Sequence, residues 1–261
     1  MNFRIFINRH KFGHLSGAVL VAFGLSYATP LQAQVKACGG SNNWPPMSYQ
    51  LPGQAVQGIS ADLLRSLLPQ IQFELRPWQR CLNEVAGLAG FDLAMSVAKT
   101  PERERLFYFS KPYHQLTPSY LYLKQRFPNP PVSKLLDLQK YRVCALHGAN
   151  SAYTGLSAEK IESGATTYLS LQRKLERGHC DLVVEMREVL YGFAELELLP
   201  FRSQDYQIQN LPEVQAYPLH FAISRHHSQA EQILELLNKG IAEQQRLGGL
   251  NKLILRYQAG Q

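Results

Sequence analysis

The chain has 261 residues, of which 45% are hydrophobic and 18% charged. It can therefore bury the core of one large domain or two smaller ones, and it lacks the composition of a disordered chain. Its formal charge is +7, but beyond residue 33 no cluster of lysines and arginines is interleaved with aromatic residues, so we expect no nucleic-acid partner.

The first 33 residues have the order of a signal peptide. Three basic residues, at positions 4, 9 and 11, precede an apolar run over residues 15–28 that is shorter than the ~20 apolar residues of a membrane span. We expect cleavage after Ala33, with Ala28 as the alternative site, in preference to an uncleaved membrane anchor or a lipoprotein acylated at Cys38. Removal of this leader leaves 24 of the 27 basic residues against 20 acidic ones. The sequence thus predicts a periplasmic protein.

Short apolar runs alternate with helical patterns over the next 65 or so residues. The predicted elements are a strand over residues 35–38, a helix over 60–68, a strand over 72–76, a helix that Pro77 opens, and a strand over 93–97. Ser60 or Asp62 is expected near the cap of the first helix. This β-α-β-α-β order predicts a parallel sheet that is covered by helices.

The segment after the third strand combines a helix start with a basic residue. Thr100 suits the cap position and Pro101 the first helical position, so a helix should begin here with Arg103 in its first turn. Free backbone N–H groups beside a guanidinium form a receptor for an anion, especially a carboxylate bound through two parallel hydrogen bonds. The alternative is that Arg103 only pairs with Glu102, Glu104 or another surface acid.

A second unit is expected to begin near Phe127. Its predicted elements are strands over residues 142–145 and 182–185 and a helix over 170–177, and a strand over 219–224 and an amphipathic helix over 229–246 follow. Residues 119–124 and 217–223 are interpreted as strands that cross between two lobes. The sequence therefore predicts a first lobe of residues 34–122 plus 219–261 and a second lobe of residues 123–218.

Two further side chains are candidates for a cleft. Glu185 should lie at the carboxyl end of a parallel strand, where open α/β sheets present ligand groups, although it could instead pair with Arg187 or Arg142. Trp44 lies on a predicted cleft loop and could stack on a ligand. Trp78 begins a helix and is interpreted as a packing residue. The histidines have no metal-binding spacing and no phosphate loop occurs, so neither a metal nor a cofactor is expected.

Four cysteines in an oxidising compartment predict two disulfides, with three possible connectivities. Cys38 ends the first predicted strand and Cys81 lies in a helix expected to pack on the same sheet. Cys144 and Cys180 lie in or beside strands of the second predicted lobe. These positions favour the pairs Cys38–Cys81 and Cys144–Cys180, one in each lobe.

An ordered series of short motifs runs through most of the chain. It consists of Trp44-Pro45-Pro46, Gly58 to Leu63, Pro77-Trp78, Phe91 to Ala94, Thr100 to Arg103, Phe109 to Tyr113, Leu175 to Glu185 and Tyr217 to Ile223. The series resembles the family 3 extracellular solute-binding proteins, the periplasmic receptors of polar amino-acid ABC importers. This resemblance implies an α/β fold of the type II periplasmic-binding-protein kind, with two lobes, each a mostly parallel sheet flanked by helices, joined by two hinge strands.

The resemblance also implies roles for individual residues. Arg103 matches the family arginine that binds the α-carboxylate of the ligand, and Ser96 and Thr100 lie near positions that add hydrogen bonds to it. Glu185 matches a position where the family usually has an aspartate that holds the α-ammonium group. Here the side chain is one methylene longer, and the segment before Thr100 lacks the usual hydroxyl-rich pattern.

The expected function is capture of a small polar ligand that bears a carboxylate, such as an amino acid, for delivery to a membrane ABC permease. The protein is expected to be a monomer that binds its ligand without chemistry. One alternative is a secreted enzyme on the same scaffold, such as a cyclohexadienyl-type dehydratase, with Glu185 as general acid or base. Another is a ligand sensor that serves no importer.

Overall fold

Strands and helices alternate through the part of the chain that the structure describes. The computed structural model describes Met1 and residues 35–258. The strands are β1 (Lys36–Gly40), β2 (Gln72–Arg76), β3 (Leu93–Ala98), β4 (Phe107–Phe109), β5 (His114–Leu116), β6 (Pro118–Leu123), β7 (Val143–Leu146), β8 (Ile161–Ala165), β9 (Leu182–Met186), β10 (Tyr206–Asn210) and β11 (Tyr217–Ser224). The α-helices are α1 (Ile59–Leu67), α2 (Trp78–Ala86), α3 (Pro101–Glu104), α4 (Tyr168–Glu176), α5 (Arg187–Glu195), α6 (Ala230–Arg246) and α7 (Gly249–Gln258). Short 3-10 helices lie at Leu135–Lys140, Ala152–Thr154 and Ala158–Lys160.

The first sheet has the strand order β2-β1-β3-β11-β4, and β5 also pairs with β11. Strands β1, β2 and β3 are parallel, whereas β11 runs antiparallel to its neighbours. Helix α2 packs against β1, β3 and β11, and helices α1, α6 and α7 pack against one another. All six residues of β3 are buried, as expected for a central strand that is covered on both faces. We call the part built on this sheet the first lobe.

The second sheet has the strand order β10-β6-β9-β7-β8. Strands β7, β8 and β9 are parallel, and β6 and β10 are antiparallel to their neighbours. Helix α4 packs against β7, β8 and β9, and helix α5 against β6, β9 and β10. Every residue of β6 and β9 is buried. We call the part built on this sheet the second lobe.

The two-lobed α/β fold is confirmed, but the sheets are mixed rather than mostly parallel. Each sheet has a parallel three-stranded part that comes from its own β-α-β units. The antiparallel strands β6 and β11 follow the two segments that cross between the lobes, so they enter their sheets from the opposite end. The sequence-based boundary at residue 122 assigns most of β6 to the first lobe, whereas β6 pairs only with β9 and β10 of the second sheet. A fully buried apolar strand carries no pattern that tells which sheet it joins.

Each lobe contains one disulfide, and both predicted pairs are present. Cys38–Cys81 joins β1 to α2, and Cys144–Cys180 joins β7 to the residue that precedes the turn into β9. The sequence separations are 43 and 36 residues. Closing loops of that length stabilises a fold by about 4 kcal/mol each in the chain-entropy model. Each disulfide thus fixes one strand, β1 in the first lobe and β7 in the second. The carboxyl ends of these two strands point to the same region between the sheets.

The predicted leader over residues 1–33 and its cleavage site lie outside the described residues, apart from Met1. Among the helices that the structure describes, none is long and apolar enough to cross a membrane.

Candidate functional site

A cavity of about 650 Å3 lies between the two lobes. The first lobe lines it with the segments that follow β1 and β2, the end of β3, and Arg103. The second lobe lines it with the ends of β7 and β9 and the start of α4. Carboxyl ends of parallel strands are where open α/β sheets present ligand groups, and the volume lies within the range of small-molecule sites.

Arg103 lines the first-lobe wall of this cavity. Its Nη1 donates to the Ala98 carbonyl oxygen at 2.9 Å, and its guanidinium lies 5.6 Å from the centroid of the Trp78 ring, which is within the range of a cation–π contact. Burial lowers the pKa of Arg103 from its ordinary value, and Tyr217 and Glu102 partly offset this effect. Within the described residues the guanidinium forms no salt bridge, because Glu104 pairs with Lys99 at 2.7 Å and Glu102 lies beyond ion-pair distance. The positive charge therefore lacks an acidic partner.

Glu185 lines the opposite wall, at the end of β9. Its side chain accepts hydrogen bonds from the Tyr168 hydroxyl at 2.5 Å and from the backbone N–H of Met186 at 2.8 Å. Burial raises the pKa of the Glu185 carboxyl above its usual range, and these hydrogen bonds only partly offset the effect.

Neither of the alternative partners of Glu185 contacts it. Arg142 pairs with Asp181 at 2.7 Å, and Arg187 lies 3.6 Å from Glu188. In the described part of the chain Glu185 thus forms no salt bridge. The cavity thus has the buried carboxyl group of Glu185 on its second-lobe wall and the guanidinium of Arg103 on its first-lobe wall, and neither forms a salt bridge within the described residues.

Ser96 also lines the cavity, within a network of buried hydroxyl groups. Its Oγ lies 2.8 Å from Ser60 Oγ, and Ser60 Oγ lies 2.6 Å from the Tyr113 hydroxyl. Ser60 is therefore used in this network and not as the cap of α1, because Gly58 occupies the cap position with φ 117°. Ser96 has φ 57°, a conformation that costs about 1–3 kcal/mol for a residue other than glycine and is concentrated at functional sites.

Thr100 and Trp44 occupy different places. Thr100 caps α3, since its Oγ1 accepts from the backbone N–H of Arg103 at 3.3 Å. It lines a smaller adjacent cleft and not the main cavity, so its contact with a ligand stays a prediction. Trp44 lines the main cavity, beside the chain segment that precedes α1. Of the five candidate ligand residues, the cavity thus brings four together.

Several lining residues were not expected from the sequence. Trp78, interpreted as a packing residue, lines the cavity beneath Arg103. Tyr153, Tyr168 and Tyr217 complete an aromatic lining. Desolvation raises the pKa of each of these three tyrosines. The position of Trp78 directly after β2 was a usable signal, because that is a carboxyl end of a parallel strand.

Hydrogen bonds connect the two lobes around the rim of the cavity. Asn42 Nδ2 donates to the Thr166 carbonyl oxygen at 2.6 Å, and Gln79 Nε2 donates to the Gly148 carbonyl oxygen at 3.2 Å. Asn150 Nδ2 donates to the Tyr217 hydroxyl. The cavity is thus bounded by both lobes in mutual contact.

Helix α5 of the second lobe also approaches the first lobe closely at Gly192. A Cβ at this position would lie 2.6 Å from both the carbonyl carbon and the oxygen of Pro45, a distance that real Cβ atoms do not show. Pro45 follows Trp44, so this close approach adjoins the cavity wall. Only glycine permits the observed separation of helix and loop.

Comparisons with known proteins agree with this arrangement. The model of the bacterial extracellular solute-binding proteins, family 3, matches residues 37–260. A search of curated protein sequences finds no significant match.

Solved structures with the same fold include three whose names describe the binding or transport of amino acids. The substrate-binding protein AbpA of an amino acid ABC transporter from Streptococcus pneumoniae, bound to L-arginine, is 22% identical, with a TM-score of 0.70 over 86% of this chain and 94% of that chain. The ancestral amino acid-binding protein AncCDT-1, a precursor of cyclohexadienyl dehydratase, is 19% identical, with a TM-score of 0.69 over 86% and 95%. The arginine-, lysine-, histidine-binding protein ArtJ from Geobacillus stearothermophilus is 16% identical, with a TM-score of 0.68 over 86% and 94%. At these identities the likeness is one of fold.

Proposed function

Because the chain belongs to the bacterial extracellular solute-binding proteins of family 3, we propose that it captures a zwitterionic amino acid between its lobes. Arg103 of the first lobe binds the α-carboxylate through its guanidinium N–H groups. Glu185 of the second lobe binds the α-ammonium group. The ligand is therefore recognised only where both lobes contribute.

One observation carries this proposal: a half-buried guanidinium and a buried carboxyl group face one cavity, and neither has a charged partner within the described residues. Burying an ionised group without a partner costs several kcal/mol. A ligand that carries both complementary charges offsets that cost at each wall. Arg103 and Glu185 form no salt bridge with each other, which leaves space for a ligand between them.

The hydrogen bonds that Arg103 already makes limit how it binds a carboxylate. Its Nη1 donates to the Ala98 carbonyl oxygen and its backbone N–H is used by Thr100. Arginine has five N–H donors in a planar fork, so further donors remain for an anion. Carboxylate binding is thus assigned to the guanidinium and not to the start of α3, whose cap is already filled.

Export and delivery are finer parts of the same proposal. The family is described as extracellular, and the amino-terminal order of basic, apolar and small residues supports export with loss of about 33 residues. AbpA is named as part of an amino acid ABC transporter, which supports delivery of the ligand to a membrane permease. We propose that the exported protein acts as a monomer.

We further propose that the ligand is bound without being converted. The raised pKa of Glu185 would allow it to act as a general acid, and a precursor of cyclohexadienyl dehydratase has the same fold. However, beside Glu185 the charged groups that line the cavity among the described residues are Arg103, Arg80 and His147. Arg80 and His147 are exposed at the rim.

A binding screen with product analysis tests this function. The protein lacking residues 1–33 would be unfolded and refolded to release any retained ligand, and its thermal unfolding measured with each natural amino acid and with prephenate. We expect one or more α-amino acids to raise the unfolding temperature and to be recovered unchanged by mass spectrometry. Absence of a shift with every amino acid would overturn the proposed function, and conversion of prephenate would replace it with catalysis.

A further inference from the structure

The charged groups that line the cavity are few. They are Arg103, Glu185, Arg80 and His147. If Arg103 and Glu185 hold the carboxylate and ammonium groups of the ligand, as proposed above, no further acidic side chain among the described lining residues is left to receive a second positive charge. Arg80 is exposed and its Nε donates to Glu84 at 2.7 Å, and one ring nitrogen of the exposed His147 lies 3.2 Å from the Ser163 carbonyl oxygen.

The amide side chains of the lining are already engaged within the protein. Asn42, Gln79 and Asn150 form the contacts that connect the lobes. Asn43 Oδ1 accepts from the backbone N–H of Gln50 at 2.9 Å. Each of these four amides thus already has a hydrogen-bond partner within the protein, and three of them are held in place by contacts between the lobes.

The rest of the lining is largely aromatic and apolar, with hydroxyl-bearing side chains at Ser41, Ser48, Ser96, Thr166 and Thr167. Five aromatic side chains line the cavity: Trp44, Trp78, Tyr153, Tyr168 and Tyr217. Aliphatic side chains from the ends of β7 and β9 add to them. The cavity volume of about 650 Å3 also exceeds what a small amino acid would fill, since water occupies about 30 Å3 per molecule in the liquid.

From this lining we infer that the ligand is an amino acid with a large, uncharged side chain, aromatic in preference to aliphatic. The inference rests on the proposed function, because it assigns Arg103 and Glu185 to the main-chain groups of the ligand. A guanidinium or ammonium side chain would be desolvated without a carboxylate, which is strongly unfavourable. An aromatic side chain would instead gain apolar burial and ring contacts.

Calorimetric titration with a series of free amino acids tests the inference. The probes are L-tryptophan, L-phenylalanine, L-leucine, L-alanine, L-arginine and L-glutamate, titrated into protein freed of retained ligand. We expect L-tryptophan or L-phenylalanine to bind at least about 100-fold more tightly than L-arginine, since an unpaired buried charge costs several kcal/mol. L-alanine should bind more weakly than L-leucine, because less apolar surface is buried.

A cavity variant gives a second readout. Replacing the aromatic ring in Tyr153→Ala should weaken binding of the aromatic amino acid about 2- to 10-fold and change L-alanine binding less than twofold, with circular dichroism unchanged. Tight binding of L-arginine or L-glutamate that still depends on Arg103 would overturn this inference and leave the proposed function intact. Failure of all six amino acids to bind would overturn this inference, and the proposed function would then be decided by the screen with every natural amino acid.

Discussion

Each wall of the cavity presents one charged group that is at least half-buried, but the two walls hold it in different ways. Arg103 lies at the start of the four-residue helix α3, half-buried, with a backbone carbonyl and the Trp78 ring beside it. Glu185 lies on a central strand, 6% exposed, with a tyrosine hydroxyl and a backbone N–H as its partners. The first wall thus supports a cation with weak contacts, and the second supports a buried carboxyl group with two good hydrogen bonds.

This difference has a consequence for the charge of each wall. An arginine stays protonated in a protein even when burial lowers its pKa, so the first wall is charged with or without ligand. Burial raises the pKa of the Glu185 carboxyl, and a cation beside it would stabilise its ionised form. A ligand ammonium group would therefore supply the charge partner that Glu185 lacks. The charge of Arg103 is present before binding and attracts the ligand carboxylate.

The largest expected effect is loss of the first-wall charge. Arg103→Ala should weaken binding of the amino acid found in the screen by about 2–5 kcal/mol, or roughly 30- to 5000-fold, because one partner of a desolvated charge pair is removed. Arg103→Lys should also weaken binding, since an ammonium group cannot reproduce the planar fork. Calorimetry measures both affinities.

Arg105→Ala is the matched control for this prediction. Arg105 is exposed two residues further along and does not line the cavity, so its replacement should change affinity little. Circular dichroism should show that all three variants are folded. If Arg103→Ala binds the amino acid as tightly as the parent protein does, Arg103 is not the group that binds the carboxylate.

Removing the carboxyl group of Glu185 should weaken ligand binding less than removing the guanidinium of Arg103. It should also raise the stability of the ligand-free protein. Glu185→Gln should weaken binding about 10- to 150-fold, the value of a hydrogen bond to a charged group. The free energy of unfolding of the ligand-free protein at pH 7 should rise by about 1 kcal/mol, because a buried unpaired carboxylate is removed. Calorimetry and urea unfolding measure the two quantities.

The free energy of unfolding of the ligand-free protein should also depend on pH through Glu185. A carboxyl group whose pKa is raised in the folded state contributes stability below its unfolded pKa of about 4.3, and that stability is lost as the pH rises through the folded value. Ligand-free parent protein should lose this contribution between those limits, and Glu185→Gln should not. Glu235→Gln, an exposed change in α6, should behave like the parent. Equal pH profiles for parent and Glu185→Gln would contradict the prediction.

The third prediction concerns the approach of the walls themselves. Gly192→Ala places a Cβ against Pro45, and overpacking of this kind costs about 1–3 kcal/mol, so affinity should fall roughly 5- to 150-fold. We expect the lobes to separate in the ligand-free protein, which relieves the contact with Pro45. There the change should be neutral or stabilising, since alanine favours a helix over glycine by about 1 kcal/mol. Small-angle scattering should show less compaction on ligand addition than in the parent. An unchanged affinity and the same compaction would show that the helix and loop need not meet.

The sequence predicted the parallel part of the first sheet, strands β7 and β9 of the second sheet, and both disulfides. The reason is that β1, β3, β7 and β9 are apolar runs between clear helical patterns, and each lobe has one pair of cysteines at its strands. It did not predict the short strands β4 and β5, the edge strands β8 and β10, or helices α5 and α7. These elements have three to ten residues, and their pairing depends on contacts far along the chain.

The candidate site was predicted in part, for a related physical reason. Arg103 was singled out by its position at a helix start together with the family resemblance, and Glu185 by its position at the carboxyl end of a parallel strand, where open α/β sheets present ligand groups. Tyr153 and Tyr217 do not stand out, because an aromatic residue in a loop or at a strand start is compatible with core, surface or cleft. Which of them faces the cavity depends on the relative placement of the lobes, which no local pattern encodes.

The most direct test pairs each wall with one group of the ligand. The amino acid from the screen, its methyl ester and its deaminated acid would be titrated into the parent protein, Arg103→Ala and Glu185→Gln. The ester lacks the carboxylate charge, so it should bind parent and Arg103→Ala with similar affinity. The deaminated acid lacks the ammonium group, so it should bind parent and Glu185→Gln with similar affinity. If instead each substitution weakens all three compounds by the same factor, neither wall reads the group assigned to it, and binding of a zwitterion between Arg103 and Glu185 is contradicted.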